Sequence, residues 1–169
     1  AALIAKNRAP GLERSFSAQR WACVPAQAWM DAADEAMDRE FDGAYEIWGG
    51  DIDPKAVAIA RDNAVKAGVE DLIRFEVADA RAFRREAPYG RVVTNPPYGE
   101  RIMEKREAEE LYRAFGKAYR GLPPGWSLAL LSSHTEFERT FGRTADKKRK
   151  LYNGMIKCDL FLYHKRERG

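Results

Sequence analysis

Asn95-Pro96-Pro97-Tyr98 directly follows Arg91 to Thr94, a short run that reads as a β-strand. The side-chain oxygen of Asn95 and the backbone carbonyl of Pro96 are both acceptors, and together they can take the two protons of one exocyclic NH2 group. Two prolines fix backbone torsions and hold that carbonyl outward, and Tyr98 offers a flat face on which a flipped base can stack. An amino nitrogen conjugated to a purine ring is a poor nucleophile, because its lone pair is delocalised. Gripping both protons favours a pyramidal nitrogen whose lone pair is aimed at an incoming methyl group, so the chemistry is positioning and electrostatics. It requires neither a metal nor a covalent nucleophile. The plainer use of these residues is a loop that turns the chain after a strand.

Two acids precede this motif, each at the end of an expected strand. Asp51, just beyond Gly49-Gly50, is placed to accept hydrogen bonds from both ribose hydroxyls of a nucleoside, with Ile52 beside it against an adenine ring. Asp79 can accept the adenine amino group, and the amide of Ala80 can reach a ring nitrogen. Singly, a strand-end aspartate is as useful as a helix cap or turn former. The ordered set Asp51, Asp79, Asn95 is more specific, and Asn95 belongs to both the substrate and the cofactor side of it.

These residues need a scaffold that gathers strand ends. Ala1 to Ala5 is helix-forming and uncapped, and it stops before Ala9-Pro10-Gly11. Arg20 to Arg39 reads as a loop leading into an amphipathic helix, with Trp21 and Trp29 as core anchors. Tyr45 to Trp48 reads as a strand ended by Gly49-Gly50. Asp53 caps a helix that starts at Pro54, buries Val57, Ala60, Ala64 and Ala67, and closes at Gly68. Leu72 to Val77, Arg91 to Thr94 and Ser127 to Ser132 are further strands, and Glu104 to Arg120 is a helix burying Leu111, Phe115 and Ala118. Such alternation predicts a parallel sheet with helices on both faces. Lys150 to Tyr152 and Met155 to Tyr163, joined by an Asn153-Gly154 turn, add an antiparallel hairpin. No repeat, linker or low-complexity segment interrupts the chain, so residues 1–169 read as one α/β domain.

Bulk properties narrow the class. A length of 169 residues gives one core and little room for a second. The net charge of +3 is too small to argue by itself for a nucleic-acid partner. Cys23 and Cys158 form no CxxC and have no histidine cluster near them in sequence, which predicts reduced thiols and no metal site. No stretch reaches the roughly 18 apolar residues of a membrane span, so the expectation is a cytoplasmic protein with no membrane partner. Lys105 and Arg106 interleave with Glu104, Glu107, Glu109 and Glu110 and read as a solvated helix face. Arg101 and, further on, Arg143, Lys147, Lys148 and Arg149 flank the expected substrate entrance as candidate phosphate contacts. His134 reads as a surface or capping histidine.

Tyr45 to Tyr98 resembles motifs II to IV of amino-group methyltransferases acting on DNA or RNA. Ala1 to Ala5 with Ala9-Pro10-Gly11-Leu12, then Gly50-Asp51-Ile52-Asp53, Asn95 to Arg101, and Lys150-Leu151-Tyr152-Asn153-Gly154, resemble the THUMP-associated ribosomal RNA guanine-N2 methyltransferases over nearly the whole chain. The resemblance implies a Rossmann-like class I methyltransferase fold, S-adenosyl-L-methionine as cofactor, and N2-methylguanosine in large-subunit ribosomal RNA as product. Adenine N6 methylation of DNA or RNA is the alternative enzyme reading, since Asn95 and Pro96 suit either amino group. A non-catalytic RNA-binding module with the same fold is the alternative from another class. The family carries a first strand and a glycine-rich cofactor loop before the helix that ends here at Ala5, and a THUMP domain before that. The expectation is therefore an N-terminally truncated domain that lacks its central first strand and binds S-adenosylmethionine weakly by itself.

Overall fold

The computed structural model describes residues 1–41, 43–99 and 102–165. The chain divides into two compact units, Ala1–Val77 and Ala78–Gly169.

The first unit is built on a strand, helix, strand crossover. β1 (Ile47–Asp51) pairs in parallel with β2 (Ile73–Val77), in register from Ile47 with Ile73 to Asp51 with Val77. The connection is α3 (Pro54–Lys66), whose first turn is closed by the Asp53 carboxylate accepting from the Lys55 amide at 2.8 Å, with Pro54 at the first helical position. Val57 and Ala64 are the buried residues of the expected α3 face. Ala64, Val69 and Ala2 of the short α1 (Ala2–Ala5) form a small core, with Leu3, Ile47, Ile73 and Phe75 packed against it. β1 starts two residues later than Tyr45 and contains both glycines instead of ending before them, so Asp51 is the last residue of the strand. α2 (Ala26–Asp38) buries no side chain completely. The expected core role of Trp21 and Trp29 is not met: Trp21 is 60% exposed, and Trp29 is half-buried against the ring of Phe16. With no fully buried side chain on α2, no core closes around Trp29.

The second unit is a four-stranded sheet in the order β3 (Tyr89–Thr94), β4 (Gly125–Ser132), β6 (Ile156–Tyr163), β5 (Lys147–Asn153). β3 and β4 are parallel, and the last two strands are antiparallel. Its core combines α4 (Ile102–Arg120) and α5 (Phe137–Phe141) with Leu128, Leu130, Phe161 and Tyr163. Among the described residues of α4 the buried apolar side chains are Ala108, Tyr112, Phe115 and Tyr119, spaced at i, i+4, i+7 and i+11. Leu111 and Ala118, expected inside, are only half-buried. Tyrosines take the interior because their hydroxyls find partners there: Tyr119 donates to the Trp126 carbonyl at 3.2 Å, and Tyr163 to that of Arg143 at 3.1 Å.

The hairpin also departs from expectation. β5 begins at Lys147, and Asn153 pairs with Ile156, so the two-residue turn is Gly154-Met155 and not Asn153-Gly154. Of these two residues only Gly154 has a positive φ, +61°, as a turn with glycine at its first central position requires. Among the described residues the strands thus form two sheets in place of one, with β1 and β2 at the edges of the first and β3 and β5 at the edges of the second. No described helix is long and apolar enough to cross a membrane.

Candidate active site

Asn95-Pro96-Pro97-Tyr98 leaves the carboxyl end of β3, as its sequence position required. Asn95 is exposed, and Tyr98 is half-buried. Gly99 then turns the chain with φ +69°, passing so close to the backbone of Glu104 and Lys105 that a Cβ there would lie 2.6 Å from the Lys105 Cα.

The loop is held from beneath by a side chain that sequence reasoning missed. Tyr112, fully buried on α4, donates its hydroxyl proton to the Pro97 carbonyl at 2.5 Å. Burial pushes its phenol pKa up, so it stays a neutral donor. The Ser132 hydroxyl, at the end of β4, lies 3.2 Å from the Tyr112 oxygen and itself accepts from the His134 amide at 3.1 Å. Since Tyr112 spends its proton on Pro97, Ser132 is the donor between the two hydroxyls. The chain of donors therefore has one direction, from His134 N–H through Ser132 and Tyr112 to the loop. His134 is buried, which leaves the capping role and not the surface one of the two expected for it. Its Nδ1 accepts from the Glu136 amide at 3.2 Å, which puts the neutral ring's proton on Nε2. That nitrogen lies 3.4 Å from Glu109 without a geometrically formed hydrogen bond.

A second support comes from the hairpin. The Asn153 amide donates to the Tyr98 hydroxyl at 3.2 Å. Burial raises the pKa of Tyr98 despite the donation from Asn153, and the nearby Cys158 thiol adds to the rise. Tyr98 is thus a neutral ring fixed at its far end. In sequence Asn153 signalled only a turn, because its partner is 55 residues away.

Asp79 caps a single 3-10 turn, Ala80–Ala82, by accepting from the Arg81 amide at 2.9 Å. The Arg81 side chain spans the same carboxylate, with Nε 2.7 Å from Oδ2. This hydrogen bond, more than the amide's, holds the Asp79 pKa below the ordinary carboxylate value. A carboxylate offers about four acceptor sites. Arg81 fills most of those of Asp79, and Ala80 is exposed beside it.

In the first unit, Asp51 is exposed and one of its oxygens accepts from the Asp53 amide at 2.9 Å, leaving the other for a ligand. Gly49, Gly50 and Asp51 line a hollow with Ala60 and Phe75. The two glycines put no side chain into it, and Ile52 stands 60% exposed next to Asp51. A carboxylate acceptor, a floor without side chains and a neighbouring apolar side chain match the hydroxyls and ring of a nucleoside.

The candidate phosphate contacts separate into two groups. Lys148 forms an ion pair with Glu138 at 2.6 Å, and Arg143 pairs with Asp146 at 3.2 Å while lying over the Tyr163 ring. These two cations knit the hairpin to α5. Lys147 and Arg149 project from the opposite face of β5 and are exposed. Arg101 lies outside the described residues. Among the described residues no group of three or more His, Cys, Asp or Glu could hold a metal ion.

A family model described as "RMKL-like, methyltransferase domain" matches residues 1–161. "Ribosomal RNA large subunit methyltransferase K/L" of Shewanella baltica (strain OS185) is 38% identical over 168 residues, covering 96% of this chain and 24% of the relative. A "predicted N6-adenine-specific DNA methylase" from Listeria monocytogenes superposes with a TM-score of 0.87 at 44% identity, over 96% of this chain and 42% of that one. SMU.472, "a putative methyltransferase complexed with SAH", superposes with a TM-score of 0.94 at 36% identity, over 99% of this chain and 45% of the other. The chain spans less than half the length of each of them.

Proposed function

Because the chain belongs to the family of RMKL-like methyltransferase domains and has their Rossmann-like class I fold, we propose that the protein methylates the exocyclic amino group of a base in ribosomal RNA, with guanine N2 as the target. S-adenosyl-L-methionine supplies the electrophilic methyl group. Asp51 and Ile52 take its ribose and adenine, and Asp79 and Ala80 take the adenine edge, the Asp79 carboxylate being shared with Arg81.

The observation that carries this reading is the Asn95 to Tyr98 loop, anchored at Pro97 by Tyr112 and at Tyr98 by Asn153. The Asn95 side-chain oxygen and the Pro96 carbonyl each accept one proton of the target NH2. Tyr98 stacks on the everted base and excludes water from that side. The reacting nitrogen sheds a proton after transfer. Neither residue 95 nor residue 96 has to accept it, since a methylated aminium is acidic enough to lose it to water. Catalysis rests on fixing the nitrogen's geometry, and mispositioning the acceptor pair by about 1 Å would cost on the order of 100-fold in rate. Ribosomal RNA as the substrate is supported by the name of the Shewanella relative and implies a cytoplasmic site of action.

Adenine N6 is the second reading, favoured by the name of the Listeria structure. The full-length protein incubated with S-adenosylmethionine and large-subunit ribosomal RNA separates the two, after digestion to nucleosides and mass spectrometry. N2-methylguanosine is expected. N6-methyladenosine would move the target to adenine, and unmodified RNA would overturn the function.

A further inference from the structure

The tip of the β5–β6 hairpin carries large side chains with no core to enter. Met155 in the turn is 97% exposed and Tyr152 is 72% exposed. Tyr152 pairs across the hairpin with Lys157 and shares its face with Lys150, so an aromatic ring stands between two exposed lysines, with Asp159 the facing acid beyond Lys150. On the other face of β5, Lys147 and Arg149 add two more exposed cations. The tip is not remote from the catalytic loop, because its first residue, Asn153, is hydrogen-bonded to Tyr98.

A ring flanked by cations is the arrangement that stacks on a base while neutralising phosphates, and an exposed apolar side chain beside it is the kind that wedges into a base stack. A base drawn out onto Tyr98 leaves a gap in its strand. Resting on the methyltransferase reading above, we propose that the hairpin tip is an RNA-eversion element: Met155 fills the gap left by the target base, and Tyr152 stacks on a neighbouring base. The occupant is RNA and not protein, because the exposed charge around the tip is mostly positive.

The test uses the full-length protein with Met155→Ala and Tyr152→Ala. Both positions are exposed, so folding is unaffected. Single-turnover methylation is measured on large-subunit ribosomal RNA transcribed in vitro and on a heptanucleotide containing the unmethylated target base, which needs no eversion from a structured stack. Each variant is expected to lose about tenfold in rate on the transcript and less than about twofold on the heptanucleotide. Fluorescence of 2-aminopurine placed beside the target is expected to rise on binding wild type and not on binding Met155→Ala. Equal losses on both substrates, or none on either, would overturn the proposal, as would a shift in oligomeric state showing that the tip binds protein. Failure of the wild type to methylate both substrates would overturn the methyltransferase reading itself.

Discussion

The hydroxyl of Tyr112 reaches the carbonyl of Pro97 at 2.5 Å, and this bond joins the middle of α4 to the centre of the candidate catalytic loop. A fully buried phenol with a single directed proton makes a rigid strut, because Ser132 occupies its oxygen from the other side. Tyr112→Phe keeps the ring's packing against Phe137 and removes only the strut. The expected result is a fall in kcat of about 10- to 100-fold with the KM for S-adenosylmethionine unchanged, and a loss of about 1 kcal/mol in stability by denaturant titration. An unchanged kcat would show that the strut does not position the loop.

Gly116 of α4 leaves no space for a side chain, since a Cβ there would collide with the carbonyl oxygen of Phe141 on α5. Backbone cannot swing aside as a side chain can. Gly116→Ala should therefore destabilise the second unit despite alanine's better helix propensity, by about 1–3 kcal/mol as other overpacked sites do. A midpoint of unfolding equal to or above that of the wild type would refute this contact.

Partial burial alone would raise the Glu138 pKa, but hydrogen bonds from Lys148 at 2.6 Å and from the Ala145 amide at 2.7 Å outweigh it and hold the carboxyl below its ordinary value. A depressed folded-state pKa contributes stability above the unfolded pKa, and that stability is lost as pH falls through the folded value. Acid should thus weaken the tie between hairpin and α5, with the loss falling below the ordinary carboxylate range. Lys148 is raised by the same bond, so its share persists through neutral pH and is lost only as pH climbs above the ordinary lysine value. Glu138→Gln should be less stable at neutral pH and show a shallower decline in acid. Parallel stability profiles for variant and wild type would contradict the pairing.

Charge reversal tests the division among the basic residues. Lys147→Glu with Arg149→Glu should weaken RNA binding and flatten its salt dependence by up to about two units of log–log slope, without changing thermal stability. Lys148→Glu breaks the pair with Glu138 and should lower the melting temperature instead. Identical effects from both substitutions would mean that β5 presents no directional RNA face.

Much of the site was legible because its signals are local. Two adjacent prolines after a β-branched run place the loop, and Asp53-Pro54 sets the start of α3 within a residue. The supports were not legible, since Tyr112 meets Pro97 across 15 residues and Ser132 across 20, and nothing near Tyr112 announces either partner. The bounds of β5 were hidden for another reason. Every residue from Lys147 to Asn153 is exposed, so no alternation of apolar and polar residues marks an edge strand built from lysine and arginine. The burial of His134 was not legible because it depends on α4 and β4 together, through Tyr112 and Ser132.

The acceptor pair is tested most directly at Asn95 itself, by comparing single-turnover methyl transfer to ribosomal RNA for Asn95→Asp and Asn95→Leu in the full-length protein. Asn95 is exposed, so neither substitution disturbs a core. Aspartate retains an acceptor oxygen at the same reach, and leucine has the same shape without one. The expected outcome is measurable transfer by Asn95→Asp and a loss of about 100- to 1,000-fold in Asn95→Leu. Wild-type rates in Asn95→Leu would contradict a catalytic grip on the amino group by residue 95.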